Sequence, residues 1–157
     1  MDYGIISCGV VGQMQNISVN GMVQAAAAIS NGIGSLVRDG YRRFLVAVTG
    51  DATLLFAKAV LIAGEQNPEI ALDILLPFNG WIDGQADSAR YKQITIRAES
   101  VNYSCEEEFE DSVDICNTQL IGFGRCTIVI HGGEDEAMSE LITEARDAEQ
   151  EIHEILI

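Results

Sequence analysis

Chemistry in this chain concentrates where glycines stand beside acidic or aromatic side chains at the ends of apolar runs. Gly9 and Gly12 frame Gly-Val-Val-Gly after the first run, and Thr49-Gly50-Asp51 closes the second. Leu75-Leu76-Pro77-Phe78 closes a third, and His131-Gly132-Gly133 a later one, with Glu134-Asp135-Glu136 directly behind it. Glycine lets a backbone turn sharply and approach a ligand closely. Asp51 opens a helix, where a carboxylate either caps free N–H groups or accepts a hydrogen bond from a ribose hydroxyl. Gly132 and Gly133 precede the last helix, and free N–H groups at such a place suit an anion. The three carboxylates that follow oppose a phosphate. They suit hydroxyl groups or a divalent cation, or they stabilise the helix start through its dipole.

The charge narrows the ligand. Nine basic residues face 24 acidic ones, a formal charge of −15, and a field of that sign repels nucleic-acid backbones and anionic lipid surfaces. Direct nucleic-acid binding is therefore not expected. None of the basic residues falls in the glycine-bearing loops: Lys58, Arg90, Lys92 and Arg97 belong to helical stretches and Arg125 precedes a strand. A phosphate would depend on backbone N–H groups, on Lys58 or Arg90 reaching in, or on magnesium bridging it to a carboxylate. His131 reads as a strand-end residue and His153 as a surface partner of Glu149 on the final helix. No GxSxG, HExxH or Walker motif is present. Cys8, Cys105, Cys116 and Cys126 form no CxxC pair. They read as free thiols of a reducing, cytoplasmic setting, in keeping with the lack of a basic-then-apolar leader or a membrane-length apolar run.

These loops need a frame, and the hydropathy pattern supplies one. Short apolar runs at Tyr3 to Cys8, Phe44 to Val48, Ile70 to Leu76, Val101 to Tyr103 and Cys126 to Ile130 read as strands. Between them, Ser18 to Val37, Ala52 to Gln66 and Asp83 to Glu99 read as helices. Asn16 or Ser18 is placed to cap the first, and Val19, Met22, Val23, Ala26, Ile29, Ile33 and Val37 fall near one face of it. Ser104-Cys105-Glu106-Glu107 matches a capping box opening the next helix, with the acidic run to Asp111 in its first turns. A final helix runs from Glu134 to about Ile155. Alternation of this kind predicts a single α/β domain over residues 1–157, a Rossmann-like three-layer sandwich with a five-stranded, mainly parallel sheet. Its strand-to-helix loops share one edge, where ligands of such sheets bind.

Taken together, the edge loops resemble the YpsA-like branch of the SLOG superfamily, which joins the Smf/DprA proteins with LOG-type nucleotide hydrolases. Val48-Thr49-Gly50-Asp51 with the Ala-rich helix behind it, Leu75-Leu76-Pro77-Phe78 with Trp81, Arg90-Tyr91, Ala98-Glu99-Ser100-Val101, Asn117 and Ile128-Val129-Ile130-His131-Gly132-Gly133 carry the resemblance, roughly residues 44 to 145. It implies a nucleotide-type pocket at the sheet edge. Ser139 occupies the register of the glutamate that LOG-type hydrolases use, and Cys8-Gly9-Val10 stands where the family often has Gly-His-Arg.

The expectation from these readings is a binding protein or sensor for a nucleotide or nucleotide-derived small molecule. Its pocket residues would be Gly9, Gly50, Asp51, Pro77, Phe78, Asn117, Gly132, Gly133 and Glu134. Asp51 or Glu134 would take hydroxyls, and Phe78 would stack on a base. Two alternatives stand beside it: a hydrolase cleaving an N-glycosidic or phosphate bond with Asp51 or Glu134 as acid or base, and an acidic protein-interaction module with a vestigial pocket. The apolar first helix, with the family resemblance, also suggests a homodimer.

Overall fold

The structure, a computed structural model, describes residues 6–13, 17–133 and 135–157. Strands and helices alternate: β1 (Ile6–Gly12), α1 (Val19–Arg38), β2 (Tyr41–Ala47), α2 (Asp51–Gln66), β3 (Ala71–Phe78), a 3-10 turn (Trp81–Gly84), α3 (Ser88–Thr95), β4 (Ser100–Cys105), α4 (Ser112–Leu120), β5 (Cys126–His131), α5 (Glu136–Asp147) and β6 (Glu151–Leu156). The strands form one sheet in the order β4-β3-β2-β1-β5-β6, and every neighbouring pair is parallel. The fold is α/β and Rossmann-like. All strand-to-helix connections leave from one edge, as a parallel sheet with helical crossovers requires. No helix among the described residues is long and apolar enough to cross a membrane.

Side-chain alternation along the strands divides the core in two. Cys8, Val10, Phe44, Val46, Leu72, Ile74, Cys126, Ile128 and Ile130 pack under α1, α2 and α3. Val11, Ala47, Leu75 and Val129 pack under α4 and α5, against Cys116, Leu120, Met138, Leu141 and Ile142. Helix α1 begins at Ser18, whose hydroxyl accepts the Gly21 N–H at 3.1 Å. It buries Ala25, Ile29, Ile33 and Leu36, the three- and four-residue spacing of a single helical stripe. Val19 and Val23, expected on the inward face, stand exposed. The buried stripe runs instead through Ala25, Ile29, Ile33 and Leu36, and Ala26 is exposed with the two valines.

Several boundaries differ from the sequence reading. The helix expected over residues 83–99 is instead a 3-10 turn at Trp81–Gly84 followed by α3 over Ser88–Thr95 alone. The sheet has six strands, not five: residues 151–156 pair with β5 and do not continue the last helix. Helix α5 ends through Glu149 in a left-handed conformation (φ 59°), and the Gln150 N–H returns to the Ala145 carbonyl at 2.9 Å, a helix stop usually made by glycine. His153 consequently lies on β6. Strand β1 runs through Gly12, so Gly9 is a mid-strand residue paired with Leu45 and Thr127 rather than part of a loop. Ser104 and Cys105 belong to β4, extended by the pairing of Tyr103 with Leu76 and Cys105 with Phe78. The expected capping box therefore does not form. The acidic run precedes α4, whose first turn uses the Ser112 hydroxyl to accept the Phe109 N–H at 2.8 Å.

Gly9 is required by close packing. A Cβ placed there would stand 2.7 Å from the Leu120 carbonyl oxygen at the end of α4, so α4 can settle on the sheet only over a glycine. Gly9→Ala should lower unfolding free energy by about 1–3 kcal/mol, the usual cost of overpacking, in urea titrations. An unchanged midpoint would contradict this contact.

Candidate functional site

The strand order reverses at β1. The chain leaves β1 toward β2 on one face of the sheet and leaves β5 on the other, so the carboxyl ends of these two adjacent strands form the topological switch point, the usual crevice for ligands in an open α/β sheet. Gln13 spans that crevice. Its backbone N–H donates to the Ile130 carbonyl at 2.9 Å, and its side-chain Oε1 accepts the Gly132 N–H at 2.8 Å. The Gly133 N–H donates to His131 Nδ1 at 3.1 Å. Because Nδ1 accepts, the ring proton sits on Nε2, which donates to Glu154 Oε1 on β6 at 2.9 Å. His131 is thus a buried brace between the loop and the edge strand. Both glycine N–H groups expected to cradle an anion are already satisfied within the protein.

The head of α2 forms the other wall. Gly50 is its N-cap and Asp51 its first residue, so Asp51 does not cap the helix. Its Oδ2 accepts the Ile17 N–H at 3.1 Å and thereby fastens the entry of α1 to α2. The loop N–H groups are taken by Thr53, whose hydroxyl accepts from Thr49 at 3.0 Å and Gly50 at 3.4 Å and donates to the Gly50 carbonyl at 3.3 Å. Gly12 makes this approach possible: a Cβ there would meet Thr53 Cγ2 at 2.9 Å. Tyr91 of α3 stands near this corner, edge-on to the buried Trp81 with ring centroids 5.2 Å apart. Its phenol is pushed above the usual tyrosine range, first by burial and then by the charge of Asp51.

Gly50, Asp51, Gly132 and Gly133 are therefore brought to one edge. Pro77 is buried in β3 and Phe78 ends that strand, partly buried against the core. Asn117 lies on the buried side of α4. Gly9 is removed from the edge by its place inside β1, and Glu134 lies outside the described residues. Among the described residues, the Thr49 Oγ1 and Asn117 Oδ1 atoms are buried without a hydrogen-bond partner. No group of three or more His, Cys, Asp or Glu among those residues is placed to hold a metal ion. Sequence reasoning missed Gln13, Thr53 and the orphaned Thr49 hydroxyl. A long amide directly after the terminal glycine of a strand was the available signal for Gln13.

No family model and no curated protein matches the sequence.

The field of Asp51 at Tyr91 is directly measurable. A tyrosine raised in the folded state keeps its proton while the unfolded chain loses one, so its contribution is complete below pH about 10 and is lost as pH rises through the folded value. Asp51→Asn should move the Tyr91 titration, followed by the NMR shift of its Cζ, down toward the ordinary value. Some elevation should remain, because burial is the larger cause. An unmoved titration would separate Asp51 from Tyr91.

Proposed function

We propose that this chain is a binding protein or sensor for a nucleoside or nucleotide-derived small molecule, held at the crevice between the carboxyl ends of β1 and β5. The observation that carries the reading is the Thr49 hydroxyl, 4% exposed and without a protein partner among the described residues, one residue from the N-cap of α2. A buried hydroxyl without a partner is costly, and a ligand or an ordered water removes that cost. In this reading Thr49 and Asp51 Oδ1 take sugar hydroxyls, and Phe78, partly buried at the end of β3, offers aromatic surface to a base. The resemblance to the YpsA-like branch of the SLOG superfamily supports the same ligand class.

Phosphate is a minor part of the recognition. The Gly132 and Gly133 N–H groups are used by Gln13 and His131, and Asp51 stands at the dipole end of α2 that would otherwise attract an anion.

A thermal-shift screen of the four common nucleosides, followed by calorimetry on the best, tests the proposal. Thr49→Val should cut affinity roughly tenfold, the worth of one buried hydrogen bond to the ligand. It should leave the free protein as stable or more stable, since it removes an unsatisfied oxygen. Loss of stability without loss of binding, or no nucleoside that shifts the midpoint, would overturn the proposal.

A further inference from the structure

Strand β4 is one edge of the sheet, and it is built differently from β6 at the other. Strand β6 carries Glu151 and Glu154, charges that discourage a further strand. Strand β4, Ser100–Cys105, has no charged residue and no proline. The Glu99 N–H bonds to the Leu72 carbonyl and the Cys105 carbonyl accepts from Asn79. The alternation of a parallel ladder therefore turns the main-chain groups of Ser100, Asn102 and Ser104 outward. Among the described residues, none bonds to these main-chain groups, which form a row of donors and acceptors along the strand.

Beside that row lies a cavity of about 360 Å³ between β4 and α3, floored by Leu76, Val101 and Tyr103 and walled by Ile82 and Ile96. Ion-paired Lys92 and Asp83, 3.4 Å apart, stand at its rim. Helix α3 is too short to cover this end of the sheet, which leaves Ile96 81% and Tyr103 46% exposed. Directly after β4, Glu106, Glu107, Glu108, Glu110 and Asp111 are all exposed.

We propose that β4 is a docking edge for an extended segment of another protein, with apolar side chains at alternate positions and basic residues at the end beside residues 106–111. The added strand bonds to the outward groups of Ser100, Asn102 and Ser104. Because its side chains alternate between faces, every second one falls on the α3 side, where the cavity admits one large apolar group. Main-chain bonds supply affinity and the cavity supplies selectivity, the usual division in strand addition. Charge selects this occupant over a second copy: another copy brings its own acidic run and its own formal charge of −15, whereas a basic segment is attracted.

Three short fluorescent peptides of alternating valine and threonine test this, one with a lysine run at its N-terminus, one with the run at its C-terminus, and one with glutamates instead. Antiparallel addition requires the first and parallel addition the second. One lysine peptide should bind saturably, more weakly at high salt, and the glutamate peptide should not. Asn102→Pro removes an outward N–H at a position where an edge strand tolerates proline. It should weaken binding roughly tenfold, the loss of one or two main-chain hydrogen bonds, with an unchanged circular dichroism spectrum. Glu107→Lys, at an exposed position, should also weaken binding. Absence of binding, equal binding of all three peptides, or an Asn102→Pro variant that folds and binds like the parent would overturn the proposal. So would a dimer of the free chain that Asn102→Pro dissolves, since a second copy would then own the edge.

Discussion

The two hydrogen bonds of Gln13 fix the geometry on which the edge of this molecule depends. They join the end of β1 to the end of β5, the pair of strands at which the strand order reverses. A crevice at such a reversal is commonly a place where backbone N–H groups wait for an anion. Here the amide side chain of Gln13 takes one of those groups and His131 takes the next. His131 can do so because its other nitrogen is held by Glu154 on β6, and the Ile157 N–H returns to the His131 carbonyl at 3.1 Å. The edge strand, the histidine and the glycine loop therefore form one connected unit.

A second constraint acts from α2. Its head comes close to β1 because Gly12 has no side chain to meet Thr53. The Thr53 hydroxyl consumes the loop N–H groups, and Asp51 consumes that of Ile17. What remains at the head of α2 is a carboxylate, a buried hydroxyl without a partner and no adjacent cation among the loop residues described. Under the proposed function, a polyol or a base rather than a polyanion is the expected occupant of this corner. The acidic surface that disfavours phosphate at the crevice also favours a basic segment at β4. In the two proposals one charge balance thus has opposite consequences at the β1–β5 strand ends and at the β4 edge.

The frame was largely legible in the sequence, because a parallel sheet covered on both faces writes each strand as a short apolar run and each crossover as a longer amphipathic one. What was not legible depended on contacts distant in the chain. Gly9 looks like a loop glycine until Leu120 is placed over it. Ser104 looks like a helix cap until Tyr103 and Cys105 pair with β3 and draw it into a strand. The segment 151–156 reads as helix because no glycine marks the end of α5, where Glu149 takes the left-handed conformation instead. The glycine pair at 132–133 reads as an edge loop from the sequence and lies there, yet its partner Gln13 is 119 residues away, and only the fold brings the two together.

The claim that the crevice reads sugar and base rather than phosphate is tested most directly by the affinity of one nucleoside against its mono- and triphosphate, measured in EDTA and then in magnesium. The occupied Gly132 and Gly133 N–H groups predict that in EDTA the nucleoside binds at least as tightly as either phosphate form. Markedly tighter binding of the triphosphate in EDTA would contradict the account.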